Sequence, residues 1–242
     1  MLEHVSERLP VGWKLAGSNV VDSLYSIMAP WAPGKSNIRR FNLLYKGIER
    51  LARTMDLDQL LYEFEIDLHS YVAAATKRRM FLHAGAVGWN GRAIVLPGKN
   101  FSGRTSLVTA FLRAGAAYYS DEFAVLDSHG RVHPYPWERQ SRPGEGERPR
   151  QRPIEAQRAR TGNKPLPIGF VLLSEYRQGA KWRPRSLSQG QAALAMLGNV
   201  RSLNQSPEVM LRMLGQAVSG ATVLKGVRGE ADEMVESILK LL

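Results

Sequence analysis

The sequence predicts an α/β fold: a twisted mixed sheet around a helix that follows a glycine-rich loop, with a small N-terminal α+β region. Three observations carry this. Ala93, Ile94, Val95 and Leu96 form a short apolar run fit for a buried strand, and Pro97 ends it. Gly98 to Gly103 then supply a loop with glycine at both ends. Leu107, Val108, Phe111 and Leu112 mark one face of the helix that follows, stopped at Gly115. Strand, loop and helix in immediate succession are the building unit of an α/β sheet.

The remaining elements fall into place around that unit. Residues 1–37 are poorly patterned, with Pro10, Pro30 and Pro33 interrupting any long element. Residues 41–45 and 48–52 fit two strands about Gly47, although Ile38, Phe41, Tyr45, Ile48 and Ala52 also share helical spacing; the glycine favours the strands. Leu57, Leu60, Leu61, Phe64, Leu68, Tyr71 and Val72 mark an amphipathic helix whose stripe is core packing. Phe81 to Gly88 reads as a strand. Asn90-Gly91 between apolar runs is a strong hairpin signal, so this strand should lie antiparallel to the one that feeds the loop. Further strands are expected at 116–120, 123–126, 168–173 and 222–224, with a turn at 128–130. Ser188 with Gln191 is a capping box for a helix to Leu197, Ser206-Pro207 opens another, and a last helix runs from Glu230 to Leu242. The expected division is an N-terminal region, 1–78, and a loop-bearing domain, 79–242.

Composition bounds the function. The chain has 242 residues, enough for one large core or a core with a small appended domain. Hydrophobic content of 44% and charged content of 23% are ordinary globular values. No apolar stretch approaches the roughly 20 residues of a membrane helix. Met1 to Arg8 lack the charged head and apolar core of a secretion signal, and a cytoplasmic protein is expected. The absence of cysteine excludes disulfides and thiolate metal sites. The net charge of +11 favours anionic partners. Residues 131–160 hold eight Arg, four Glu and five Pro, and a mobile basic loop is expected over about 128–165. Charge without a recognised nucleic-acid motif does not make nucleic acid the expected partner.

The loop carries the chemistry. Gly98, Lys99, Asn100, Phe101, Ser102, Gly103, Arg104, Thr105 and Ser106 match the pattern G-x-x-x-x-G-K-[ST], except that Arg104 stands where Lys is expected. Backbone N–H groups and a helix N-terminus would aim positive dipole at a phosphate. The bland reading is a Gly/Ser-rich turn before an ordinary helix. Thr105 offers a hydroxyl to a metal ion, with Ser102 or Ser106 as substitutes. Asp121 and Glu122 put two carboxylates at the end of the next strand. In open α/β sheets that end is where ligands bind. One carboxylate could hold magnesium and its neighbour take a proton from an acceptor hydroxyl. His83, alone on its strand, fits a hydrogen-bonded core histidine as well as a catalytic one.

The segments Phe81–Val87, Gly98–Ser106, Arg113–Ala116 and Tyr119–Glu122 resemble, in order and spacing, the catalytic domain of HPr kinase/phosphorylase and its HPr-kinase-like relatives. The resemblance covers residues 79–127 well and the rest loosely or not at all. It implies a P-loop, HPr-kinase-like fold and ATP with Mg2+ as cofactors. It implies that Asp121 is the general base and that His83 contacts the catalytic acid. It further implies that Thr105 and Glu122 serve the metal and that the loop residues hold the nucleotide. Arg104 departs from the family Lys, and the segment with which classical members grip HPr has no counterpart after residue 127. The expected activity is phosphoryl transfer from ATP to a hydroxyl, a serine above all, of a protein, peptide or small molecule, in a protein able to form a homo-oligomer. The alternative is a degenerate loop that binds nucleotide or phosphate without catalysis. A nucleic-acid role for the basic loop would show itself as a steep salt dependence.

Overall fold

The computed structural model of the protein describes residues 2–29, 41–98, 102–137, 160–202 and 204–241. Described residues up to 72 form one compact unit and those from 73 onward form another.

In the N-terminal unit a short helix, α1 (Leu2–Ser6), precedes an antiparallel sheet of β1 (Tyr25–Met28), β2 (Asn42–Lys46) and β3 (Glu49–Thr54), in that order across the sheet. Residues 41–54 are therefore strands, turned at Gly47 with φ 57°. α1 and β1 lie in the stretch the sequence left unpatterned. β1 spans four residues whose exposure alternates, too short a run for periodicity to declare it. Helix α2 (Leu57–Ala75) buries Leu60 and Phe64 beside Leu44, with Tyr25, Ile27 and Leu51 packed around them. His69 on the same helix is buried, its Nε2 3.2 Å from the carbonyl oxygen of Arg8.

The second unit is an α/β layer structure with a mixed sheet. β4 (Met80–Trp89) and β5 (Arg92–Pro97) form the expected hairpin, with Asn90 at φ 47° and Gly91 at φ 75°. Both central residues thus take the left-handed conformation that a type I′ turn demands. α3 (Arg104–Arg113), β6 (Ala117–Ser120), β7 (Phe123–Leu126), β8 (Arg131–His133) and β9 (Leu166–Tyr176) follow in the chain. Then come β10 (Arg185–Ser186), α4 (Gln189–Leu197), α5 (Pro207–Val218), β11 (Thr222–Arg228) and α6 (Ala231–Leu239). The strand order is β10-β11-β9-β5-β4-β7-β8, with β6 also pairing β4. β5, β9 and β11 run parallel.

Alternation along β5 explains the layers. Ile94 and Leu96 face α3 and α6, burying Leu107, Phe111, Met234 and Ile238. Ala93 and Val95 face the opposite side, where α4 and α5 contribute Ala192, Met196, Leu214 and Val218. Covered on both faces, the parallel strands read as continuous apolar runs.

Two expectations need correction. The basic loop does not begin at 128: β8 pairs with β7 and β9, and Tyr135 and Trp137 are buried. Trp137 stacks on Phe123 with ring centroids 5.5 Å apart, and Tyr135 meets Phe81 edge-on at 5.3 Å. These aromatics anchor the segment that proline content marked as loose. At its other end, residues 160–165 are placed too, with Tyr118 N–H donating to Arg160 O at 2.9 Å. The remainder, 138–159, lies outside the described residues. β11 is also longer than 222–224, because the exposed Lys225 and the half-buried Gly226 interrupt its apolar pattern without ending the strand. Among the described residues no helix is long and apolar enough to cross a membrane.

Candidate functional site

β5 delivers the chain to Gly98, whose N–H donates to the carbonyl of His83 on the neighbouring β4 at 3.4 Å. Lys99, Asn100 and Phe101 lie outside the described residues. α3 begins at Arg104 with Gly103 as its N-cap. Gly103 has φ 75°, a left-handed conformation, and a Cβ there would run into the Arg228 guanidinium. A Cβ on Gly98 would strike the Ser102 hydroxyl. Gly103 is thus required twice over, by its backbone conformation and by the buried, hydrogen-bonded Arg228, whereas at Gly98 the Ser102 hydroxyl would have to turn aside. Thr105 is half-buried and Ser106 exposed in the first turn of α3, where the helix presents its N–H groups.

Arg104 is the hub of the site. Its side chain is buried, at 9% exposure. Nη1 donates to the Gly98 carbonyl at 2.9 Å, and Nη2 donates to Glu122 Oε2 at 2.8 Å. Nε lies 3.9 Å from Asp121 Oδ1. One planar fork therefore joins the start of the loop to both members of the acidic pair. A lysine ammonium would have to make such contacts from one rotatable nitrogen, without the fixed angles and spread of the guanidinium plane.

The sheet explains why these groups meet. β6 and β7 both pair with the edge of β4 that faces away from β5, β6 opposite residues 86–88 and β7 opposite residues 80–83. Asp121 and Glu122 occupy the break between them, opposite Ala84 and Gly85, and the Ala84 N–H donates to the Glu122 carbonyl at 3.2 Å. His83 Nε2 is 3.1 Å from Glu122 Oε1. On the other side of the ring, Arg201 Nη2 lies 3.5 Å from Nδ1. An arginine can only donate, so this contact makes Nδ1 the acceptor and leaves Nε2–H to donate to Glu122 in the neutral ring. The histidine that the resemblance links to the catalytic acid is thus bonded to Glu122. His83, Gly98, Arg104, Asp121 and Glu122, separated in the sequence, converge on one place.

Three contributors escaped the sequence. Arg228, at the end of β11, is 2% exposed and donates from Nη2 to the Gly103 carbonyl at 2.9 Å and from Nη1 to Gly229 O at 2.7 Å. Burial lowers its pKa from the usual value, and guanidinium nevertheless stays charged. Arg201 abuts the His83 ring, and the Asn199 carbonyl accepts the His83 N–H at 2.7 Å. All three come from more than 75 residues further along the chain, and no local pattern marks them. Beside Gly98, at the carboxyl ends of β5, β9 and β11, a cavity of about 570 Å³ opens. Among the described residues no cluster of three or more His, Asp or Glu could hold a metal ion by itself.

In comparison with known proteins, no family model, no curated protein and no solved structure matches this chain.

Proposed function

We propose that this chain is a P-loop, HPr-kinase-like protein that binds Mg-ATP on the loop at Gly98–Ser106 and transfers its terminal phosphoryl group to a hydroxyl, a serine above all. The observation that carries the reading is the reach of Arg104, from the Gly98 carbonyl to Glu122 and Asp121, which makes loop and acidic pair one site. Gly103 fits a phosphate-binding loop, since its left-handed φ of 75° curls the chain ahead of α3 and its missing Cβ admits the Arg228 guanidinium to the loop. Arg104 and Arg228 place two buried cations beside it.

In this reading the N–H groups of α3 and the guanidinium of Arg104 bind and orient the phosphates. Asp121 accepts the proton of the acceptor hydroxyl as the new oxygen–phosphorus bond forms and the bond to ADP breaks. Arg104 holds the Glu122 carboxylate in place, and His83 fixes its second oxygen. The Thr105 hydroxyl and the Glu122 carboxylate would hold magnesium. Bound magnesium would neutralise charge on the phosphates.

One observation favours binding without turnover. Arg104 is tied to the Gly98 carbonyl at 2.9 Å and to Glu122 at 2.8 Å, which holds it back from following a phosphoryl group as it moves. Turnover with Mg-ATP, read alongside calorimetric ATP affinity, decides between the two. Catalysis predicts phosphate release or a labelled acceptor from wild type, lost in Asp121→Asn with ATP affinity kept. Binding with no turnover in any variant leaves a nucleotide-binding module. No ATP binding at all refutes both.

A further inference from the structure

We propose that the cavity at the carboxyl ends of β5, β9 and β11 is the nucleoside subsite for a nucleoside 5′-triphosphate whose phosphates lie at Gly98 and the start of α3. The inference rests on the phosphate reading of that loop and adds to it where the rest of the donor goes.

The sheet order supplies the direction. Asp121 and Glu122 lie on the β4 side of β5, beyond His83. The cavity lies on the opposite side, over β9 and β11, lined by Leu173, Ser174 and Glu175 from one strand and Lys225 to Val227 from the other. A terminal phosphate that reacts must face the acids. The non-reacting end of the same molecule then points across β5, into the cavity, whose rim begins at Pro97 and Gly98. Two strand spacings from β5 to β11 make roughly 10 Å, about the reach of a nucleoside beyond its phosphates. A volume of about 570 Å³ lies within the range of small-ligand sites.

The charges supply the chemistry. Arg185 on β10 stands directly opposite Lys225 on β11, and Arg183 joins them on the cavity wall. Among the described residues none of the three pairs with a carboxylate. Like charges directly opposite each other in a sheet are destabilising. An electron-rich group between them removes that penalty. A heterocyclic base offers ring nitrogens and carbonyls to these donors and a π face to a guanidinium. Leu173 and Val227 give the base apolar contact, and Glu175 accepts from a ribose hydroxyl or a base amino group.

Calorimetry with ADP and with pyrophosphate, both with magnesium, tests the proposal, since the two probes differ by the nucleoside. Wild type should bind ADP at least about tenfold more tightly than pyrophosphate. Ser174→Trp, which fills the cavity, should erase that preference while pyrophosphate affinity stays. The double variant Arg185→Gln, Lys225→Gln alters only exposed side chains, and so remains informative if Ser174→Trp misfolds; it should cost ADP several-fold more than pyrophosphate. Equal affinities in wild type, or an ADP preference that survives the variants, overturns the subsite and leaves the loop reading standing. If neither probe binds wild type, loop reading and subsite fall together.

Discussion

Gly103 faces two obstacles to substitution at once, a φ of 75° and the Arg228 guanidinium where a Cβ would stand. Gly103→Val should therefore abolish nucleotide binding by calorimetry, through the loop's shape and not through any lost side chain. Arg104 carries the opposite kind of information, since its two hydrogen bonds and its approach to Asp121 are spread along one rigid plane that a lysine does not have. If the arginine restrains a working kinase, Arg104→Lys should raise turnover with Mg-ATP, and adding Asp121→Asn should remove the gain by about 10²–10⁴, the weight of a general base. A slower Arg104→Lys enzyme would make Arg104 an adapted catalytic group. Away from the site, burial holds the His69 pKa down to about 4, with the Arg8 carbonyl acting weakly the other way. The unfolded chain, titrating near 6.5, binds the extra proton between those values. Stability of the N-terminal unit is thus full above pH 6.5 and falls as the pH drops towards 4, by on the order of 3 kcal/mol from this group. Denaturant unfolding across that window should show a flatter profile for His69→Gln than for wild type.

Among the elements, α4 is the clearest case of local sequence deciding structure. Ser188 Oγ accepts the Gln191 N–H, and the Gln191 side chain accepts the Ser188 N–H. Ser188→Ala should lower stability by about 1 kcal/mol in denaturant melts, the ordinary worth of such a cap. The same kind of local signal made the Asn90-Gly91 hairpin, the β5–loop–α3 unit and the α5 cap legible beforehand. What stayed hidden depends on partners distant in the chain. β8 has three residues and exists because β7 and β9 flank it, while Tyr135 and Trp137 are held by Phe81 and Phe123. The candidate site divides the same way. His83, Arg104, Asp121 and Glu122 fall within forty consecutive residues whose order suggested their meeting. Arg228, Arg201 and Asn199 reach it only because β11 and the segment after α4 return to it, and no spacing in the sequence encodes that return.

For the whole molecule, a ligand that binds only the folded state raises its stability by mass action. ADP at about a hundred times its dissociation constant should add about 2.7 kcal/mol to wild type. Gly103→Val should gain nothing at the same concentration, and thermal unfolding with and without ADP checks both. The net charge of +11 makes any anion bind somewhat, so the ADP effect should be measured at two salt concentrations. A saturable shift that persists at high salt marks the loop, whereas one that vanishes marks general attraction. The parallel pairing of β5 with β9 has a consequence in time. Ala93 registers with Ile168, so the strand that carries the loop gains its inner neighbour only after most of the chain exists. Non-local parallel pairing is slow to form. During synthesis, the His83–Glu122 segment leaves the ribosome long before its support does. Competence to hold a nucleotide should accordingly appear abruptly and late, and an immobilised ATP analogue should capture nascent chains only once β9 and β11 have emerged.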